Sequence, residues 1–202
     1  MPHNKKSSLS SWLAILLVFG VLVGALYGMA NQRTTTPPDI IAMDFNPKLE
    51  LIDQNGKLFR IDESTDSYAL IYFGYSFCPD ICPTELQKMA LAAAQLPPNK
   101  QHNLKLIFVT VDPKRDTAEH LKDYVNSFDP AMIGLTGDEA QIKSVASQYK
   151  VYYDTPAAQD KNYLVNHTSL FYVLAPGAKS VGIMKSELNS DQIAFNLRLL
   201  IP

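Results

Sequence analysis

Cysteine, histidine and net charge are all scarce in this chain, and each scarcity narrows what it can be. Two cysteines in 202 residues are too few to staple a domain of this length as small secreted domains are stapled. Only three residues separate Cys78 from Cys82, so the pair points to a local chemical task. Formal net charge is −2, and there is no basic stripe with interleaved aromatics, which excludes nucleic acid as a partner. Low complexity is missing too, and 47% hydrophobic residues are enough to fill a core. The length suits one domain with an appendage.

Charge is absent altogether from Ser7 to Asn31. Within that window Trp12–Met29 is an almost unbroken apolar run of 18 residues, which as a helix spans about 27 Å, close to the hydrocarbon thickness of a bilayer. Trp12 and Tyr27 sit near its two ends, where amphipathic rings prefer the interface. Residues 12–30 are therefore expected to form a transmembrane anchor. Lys5 and Lys6 place residues 1–11 in the cytoplasm and the rest of the chain outside, in the oxidising periplasmic space of a bacterial inner membrane. A cleaved secretory signal ending at Gly28-Met29-Ala30 is the competing reading, and the length of the run favours the anchor. Residues 31–44, with Thr34-Thr35-Thr36-Pro37-Pro38, read as a linker. Beyond Arg33 lie all 20 acidic residues and all but three of the 18 basic ones; this mildly acidic domain favours a basic partner surface.

Patterning from residue 45 onward predicts an α/β fold. Leu49–Ile61 reads as a hairpin turning at Asn55-Gly56. Tyr68–Tyr75 and Leu104–Val111 are runs suited to buried strands. Between them Pro83 opens a helix as its first residue, with Glu85 in the positive first turn and Pro97-Pro98 as the stop. Helices are also expected over 117–128 and from Asp138, with a short strand at 132–135 between them. After an extended stretch at 151–154, residues 155–163 make an exposed loop. A terminal strand pair, 168–174 and 180–184, turns at Pro176-Gly177, and a helix over 190–200 closes the chain. Strands alternating with helices give a sheet flanked by helices.

Cys78 and Cys82 fall after a buried strand and at a helix start, where an α/β sheet presents ligands and thiol pKa is lowered. Four residue steps on a helical path separate the Cα atoms by about 6 Å, a distance that a disulfide or a shared metal ion both accept. The spacing permits redox and metal roles equally. A third ligand from the four histidines would favour a soft monovalent ion, whereas structural zinc needs a fourth donor that is not evident. His3 precedes the apolar run, His102 lies in a polar connection and His120 on the polar side of a helix. His167, at a strand start after a flexible loop that could swing it toward the cysteines, is either that ligand or an ordinary surface or hydrogen-bonded histidine. A thiol peroxidase, the third possibility, needs an activating arginine, and none stands out in the cysteine segment.

The stretch Tyr72-Phe-Gly-Tyr-Ser-Phe-Cys-Pro-Asp-Ile-Cys-Pro-Thr-Glu-Leu86 resembles the signature of the Sco (SenC-like) copper chaperones. Phe108-Val-Thr-Val-Asp-Pro-Lys-Arg-Asp-Thr117, Gly134-Leu-Thr-Gly137, Val151-Tyr-Tyr153 and Asn166-His-Thr-Ser169 match further family segments in order. The resemblance covers about residues 40–200 and implies a thioredoxin-like domain over 45–202, a central mixed sheet flanked by helices behind one transmembrane helix. It implies that Cys78, Cys82 and His167 ligate copper, as Cu(I) or Cu(II). The implied role is a metallochaperone rather than an enzyme, one that delivers copper to the binuclear centre of cytochrome c oxidase subunit II or prepares its cysteines. A thiol–disulfide oxidoreductase acting through Cys78 and Cys82 on a membrane or periplasmic partner is the alternative. The turn Ala175-Pro-Gly-Ala-Lys179 lacks the aspartate common before its glycine, and Asn166 stands where an aspartate often precedes the histidine; neither removes a ligand.

Around the cysteines, Asp80 is expected to cap the following helix or tune the site. Asp112 and Asp116 read either as supports to the site or as a turn residue and a helix cap. Pro79 and Pro83 shape the loop, and Tyr75 and Phe77 pack around the sulfurs.

Overall fold

In the computed structural model, residues 8–31, 39–43, 47–156 and 162–202 are described. His3, Lys5, Lys6, most of the expected linker and the centre of the 155–163 loop lie outside them. The chain divides into an N-terminal unit, Met1–Thr35, and a folded unit, Thr36–Pro202. The first contains helix α1 (Ser8–Asn31), whose apolar side chains, among them Trp12, Leu17 and Phe19, are exposed. Among the described residues no helix is long and apolar enough to cross a membrane; along α1, side chains are described only for Trp12 and residues 14–24.

The folded unit is built on β3 (Tyr68–Gly74) and β4 (Leu104–Thr110), paired in parallel with Ile71 opposite Ile107. Both are continuously apolar at their centres because a central parallel pair is covered on both faces. Ala69–Gly74 and Leu106–Thr110 are all buried, and each large side chain so buried contributes about 1.5–3 kcal/mol. β5 (Ile133–Thr136) extends the sheet parallel to β4. The hairpin β1 (Leu49–Asp53) and β2 (Leu58–Ile61) adds to β5 antiparallel. At its turn Gly56 takes φ +76° and the Asp53 carboxylate accepts the Asn55 and Lys57 amides, which is why Asn-Gly works there. On the other side β8 (Leu170–Ala175) pairs antiparallel with β3, and β9 (Lys179–Lys185) with β8. The order is β2-β1-β5-β4-β3-β8-β9, a mixed sheet, flanked by helices as the pattern predicted.

Helix α2 (Ile81–Ala94) follows β3. It starts two residues before Pro83, which therefore stands third in the helix. Proline is accepted there because first-turn amides have no intrahelical partner. Glu85 consequently lies beyond the first turn, and it is buried. Helix α3 (Pro98–His102), which composition did not signal, uses the Pro97-Pro98 stop as its own start. Helix α4 (Ala118–Asn126) is capped by Thr117, whose hydroxyl accepts the His120 amide, so Asp116 is not the cap. Helices α5 (Glu139–Gln148) and α6 (Ser190–Leu200) open on capping boxes, Asp138 with Gln141 and Asn189 with Gln192. β6 (Tyr153–Asp154) and β7 (Asn166–His167) form a separate two-stranded ladder.

The end of the expected linker belongs to the fold. Ile40 is buried, and Ile41 pairs with Ile183 of β9 through two amide–carbonyl bonds of 2.9 Å. Asp39 and Asn196 of α6 bond reciprocally, at 3.3 and 3.0 Å. Gly182, at φ +151°, permits this approach, because a Cβ there would stand 2.2 Å from the Ile41 carbonyl oxygen.

Candidate functional site

Strand β3 delivers the chain to the cysteine loop at Gly74, whose lack of a side chain makes room for sulfur: a Cβ there would come within 2.8 Å of Cys82 Sγ. Cys82, second residue of α2, is fully buried. Cys78, in the preceding loop, is half-buried, and both are free thiols. The Cys82 amide donates to Cys78 Sγ at 3.5 Å. Burial works to raise the Cys78 pKa, but the amides of Cys82, Asp80 and Ile81 at the helix start outweigh it, and the net shift is downward. Cys82 goes the other way. Burial pushes its thiol up, and the nearby Cys78 sulfur adds to the effect.

His167 arrives from the far end of the chain. Its backbone pairs with Tyr153, and Thr168 locks the ladder by donating its amide to the Tyr152 carbonyl at 2.8 Å while its hydroxyl accepts the Tyr152 amide at 3.0 Å. His167 Nδ1 lies 3.1 Å from the Thr168 carbonyl oxygen. With the proton donated there, Nε2 keeps its lone pair and faces Cys82 Sγ at 3.4 Å. The rings of Tyr72 and Tyr75 meet the imidazole edge-on, with centroids 6.1 and 5.9 Å away. Burial lowers the His167 pKa, offset in part by the Thr168 carbonyl, so the neutral ring suited to ligation is favoured.

Two of the three predicted residues, Cys82 and His167, are thus in contact, and Cys78 sits one turn away with its sulfur turned to the amide of Cys82. Among the described residues no three His, Cys, Asp or Glu side chains already surround one point. Two thiols and an imidazole nevertheless form a donor set chemically fit for a soft metal ion.

The loop after β4 braces the site. Asp116, fully buried, accepts the Ser76 hydroxyl at 2.5 Å, the Ser76 amide at 3.0 Å and the Thr110 hydroxyl at 2.6 Å. Burial raises its pKa despite these donors. Asp112 is buried and paired with Arg115 Nε at 2.5 Å. Asp80 occupies the cap position of α2, yet its side chain makes no capping bond; its carbonyl accepts the Thr84 hydroxyl at 2.9 Å. Tyr75 is buried as expected, whereas Phe77 is 47% exposed and does not seal the sulfurs. It stacks on His120, with centroids 5.1 Å apart, and His120 Nε2 lies 2.8 Å from Ser76 Oγ. His120 thus belongs to the surroundings of the cysteine loop. His102, on α3, bonds the Pro98 carbonyl oxygen.

Sequence reasoning gave no weight to Arg115 or Tyr163. The guanidinium of Arg115 lies over Tyr163, Phe77 and Tyr75, so an arginine does reach the cysteine segment, from another loop. Its signal was present within Val111-Asp-Pro-Lys-Arg-Asp-Thr117. Glu85 was placed but its burial was not foreseen; it pairs with Lys88 at 3.0 Å.

Comparison with known proteins points to one family. The family model described as SCO1/SenC matches residues 38–201. An SCO2-like protein of Rickettsia felis is 41% identical over 181 residues, covering 84% of this chain and 88% of the relative. The copper-bound crystal structure of ScoI from Arabidopsis thaliana is 34% identical with a TM-score of 0.71, over 77% of this chain and 98% of that one. The solution structure of apo Sco1 from Thermus thermophilus is 28% identical with a TM-score of 0.73, over 84% and 99%. These likenesses bear out the thioredoxin-like α/β fold.

Proposed function

This chain belongs to the SCO1/SenC family, and from that premise we propose that it is a copper metallochaperone holding its cargo through Cys78, Cys82 and His167. The observation that carries the reading is the 3.4 Å between Cys82 Sγ and His167 Nε2, residues 85 positions apart. A lone buried thiol gains little from a distant imidazole, whereas a shared soft ion explains why both are brought together with a second thiol beside them. Binding requires both sulfurs to lose protons. Cys78, whose thiolate is favoured by the helix-start amides, gives up its proton first. Cys82, whose pKa is raised by burial, loses its own only where the positive charge of the ion replaces it. The structure of ScoI from Arabidopsis thaliana was solved with copper bound, which supports the same cargo here.

The acceptor proposed is the binuclear copper centre of cytochrome c oxidase subunit II, reached by ligand exchange or readied by reduction of its cysteines. The second reading, thiol–disulfide exchange, draws support from the asymmetry of the pair: a half-exposed Cys78 with lowered pKa attacks, and a buried Cys82 resolves. We further place residues 12–30 in the bacterial inner membrane as a single-pass anchor, residues 1–11 in the cytoplasm and the domain 45–202 on the periplasmic side, joined by the linker. The uncharged run and the exposed apolar side chains of α1 support this.

Titrating the reduced full chain in detergent with Cu(I), with X-ray absorption to count sulfur and nitrogen neighbours, tests the carrier reading. Two sulfurs and one nitrogen are expected. A site without nitrogen, or no binding, overturns it and leaves thiol exchange as the reading. Alkaline carbonate extraction tests the anchor: release of the chain into the soluble fraction would contradict it.

A further inference from the structure

Arg115 stands where the two segments bearing the proposed ligands meet. Its guanidinium carbon lies 3.6 Å from the centre of the Tyr163 ring, 4.8 Å from that of Phe77 and 5.5 Å from that of Tyr75. Asp112 holds both partners of the closest contact. One carboxylate oxygen takes Arg115 Nε at 2.5 Å, and the other accepts the Tyr163 hydroxyl at 2.7 Å. The Tyr163 ring is therefore fixed twice, by a cation over its face and by an anion at its hydroxyl. The side chains of Arg115 and Asp112 are only 13% and 1% exposed, and such contacts count for more where water is excluded.

The position of Tyr163 gives this clasp its meaning. It lies four residues before His167, and Phe77 immediately precedes Cys78. The loop that carries Asp112 and Arg115 also carries Asp116, which bonds Ser76 of the cysteine loop. One loop thus holds both sides of the gap between Cys82 Sγ and His167 Nε2. The direct bond of the imidazole to its own segment, Nδ1 to the Thr168 carbonyl, sets the turn of the ring within that segment but not the place of the segment against the cysteines.

On the copper-carrier reading, we propose that Arg115 is a positioning residue: stacked on Tyr163 and paired with Asp112, it sets His167 against Cys82. A planar guanidinium is needed for the role, because lysine keeps the charge opposite Asp112 but cannot stack flat on the ring.

The test begins with the metal-free, reduced full chain. Diethyl pyrocarbonate modification is followed at each histidine by mass spectrometry, with exposed His102 as internal reference. Arg115→Lys and Tyr163→Leu are expected to speed modification of His167 by about tenfold, the change that loss of a shielded cation–π contact supports, with the His102 rate unchanged. Tyr163→Phe keeps the stack and is expected to stay within about twofold of the parent rate. Release of Cu(I) to a chelator should quicken in the same order. An unchanged His167 rate in Arg115→Lys and Tyr163→Leu overturns the proposal, as does an equal rise at His102, which reports general loosening. If Arg115→Lys does not fold, Tyr163→Leu decides alone. If the parent chain binds no copper, the carrier reading fails, while the metal-free rates still judge the positioning role.

Discussion

The hydroxyl of Ser76 donates to the buried carboxylate of Asp116 across 2.5 Å, tying the loop that precedes Cys78 to the loop after β4. The same carboxylate accepts two more donors, the Ser76 amide and the Thr110 hydroxyl. Asp116→Ala would take away the acceptor of all three donors, although the Ser76 and Thr110 hydroxyls keep contacts to His120 Nε2 and the Asp112 amide. A loss of about 3 kcal/mol in stability is expected from urea unfolding, and a loss under about 0.5 kcal/mol would show the network to be incidental.

Glu85 offers a prediction whose size depends on pH. Burial raises its pKa from 4.5, although Lys88 pulls the other way, and its Oε2 has no hydrogen-bond partner. A folded-state pKa above the unfolded value means that the contribution is complete below pH 4.5 and is lost as pH rises through the folded value. Glu85→Gln should therefore stabilise the protein at pH 7.5, by about 1 kcal/mol, and less at pH 5. Urea midpoints at the two pH values check this; equal shifts at both would contradict it.

The two thiols should be chemically distinct. Cys78 is half-exposed with a lowered pKa, whereas Cys82 is buried with a raised one. Iodoacetamide at pH 7.5 should label Cys78 at least about tenfold faster, since only the thiolate reacts. Peptide mass spectrometry over time reads the ratio, and parity between the two sites would refute the asymmetry.

His167→Ala should cost the reduced protein at least about a hundredfold in Cu(I) affinity, because losing a ligand outweighs losing a supporting contact. Competition with a Cu(I) chelator measures it. Parent affinity should also fall as pH drops, because protons compete for both sulfurs. Unchanged binding in the variant would remove the imidazole from the ligand set.

Gly74→Ala probes the packing beneath the sulfur. A methyl group there must displace Cys82 Sγ, which would otherwise lie 2.8 Å from it, and it also presses on Phe108 and Tyr72 at 3.1 Å. Weaker Cu(I) binding is expected together with a stability loss of about 1–3 kcal/mol from overpacking. Parent-like copper affinity would mean that the sulfur has room to move.

Much of the fold was legible because its signals are local. The Asn55-Gly56 turn and the apolar runs of β3 and β4 each lie within a few residues of what they specify. The start of α2 lies two residues before Pro83 because any first-turn position tolerates a missing amide. The pairing of Tyr153 with His167 was not legible: two residues per strand carry no period, and their meeting depends on the rest of the sheet. Cys78, Cys82 and His167 stand out as proposed ligands by chemistry and resemblance, since few residues compete for that role. The stacking of Arg115 on Tyr163 was not legible, although Arg115 lies within the matched segment 108–117, because a pair from separate loops leaves no spacing to find.

The close approach that Gly182 permits has a mechanical consequence. A pull on the chain ahead of Asp39 enters the domain at Asn196 and, through Ile41, at β9, the rim of the sheet. Through Ile41 and β9 the load must cross β8 to reach β3, but through Asn196 it enters α6, which packs directly on α2, the helix that holds Cys82. Tension ahead of Asp39 would therefore be felt at one of the two sulfurs by a route that bypasses the sheet.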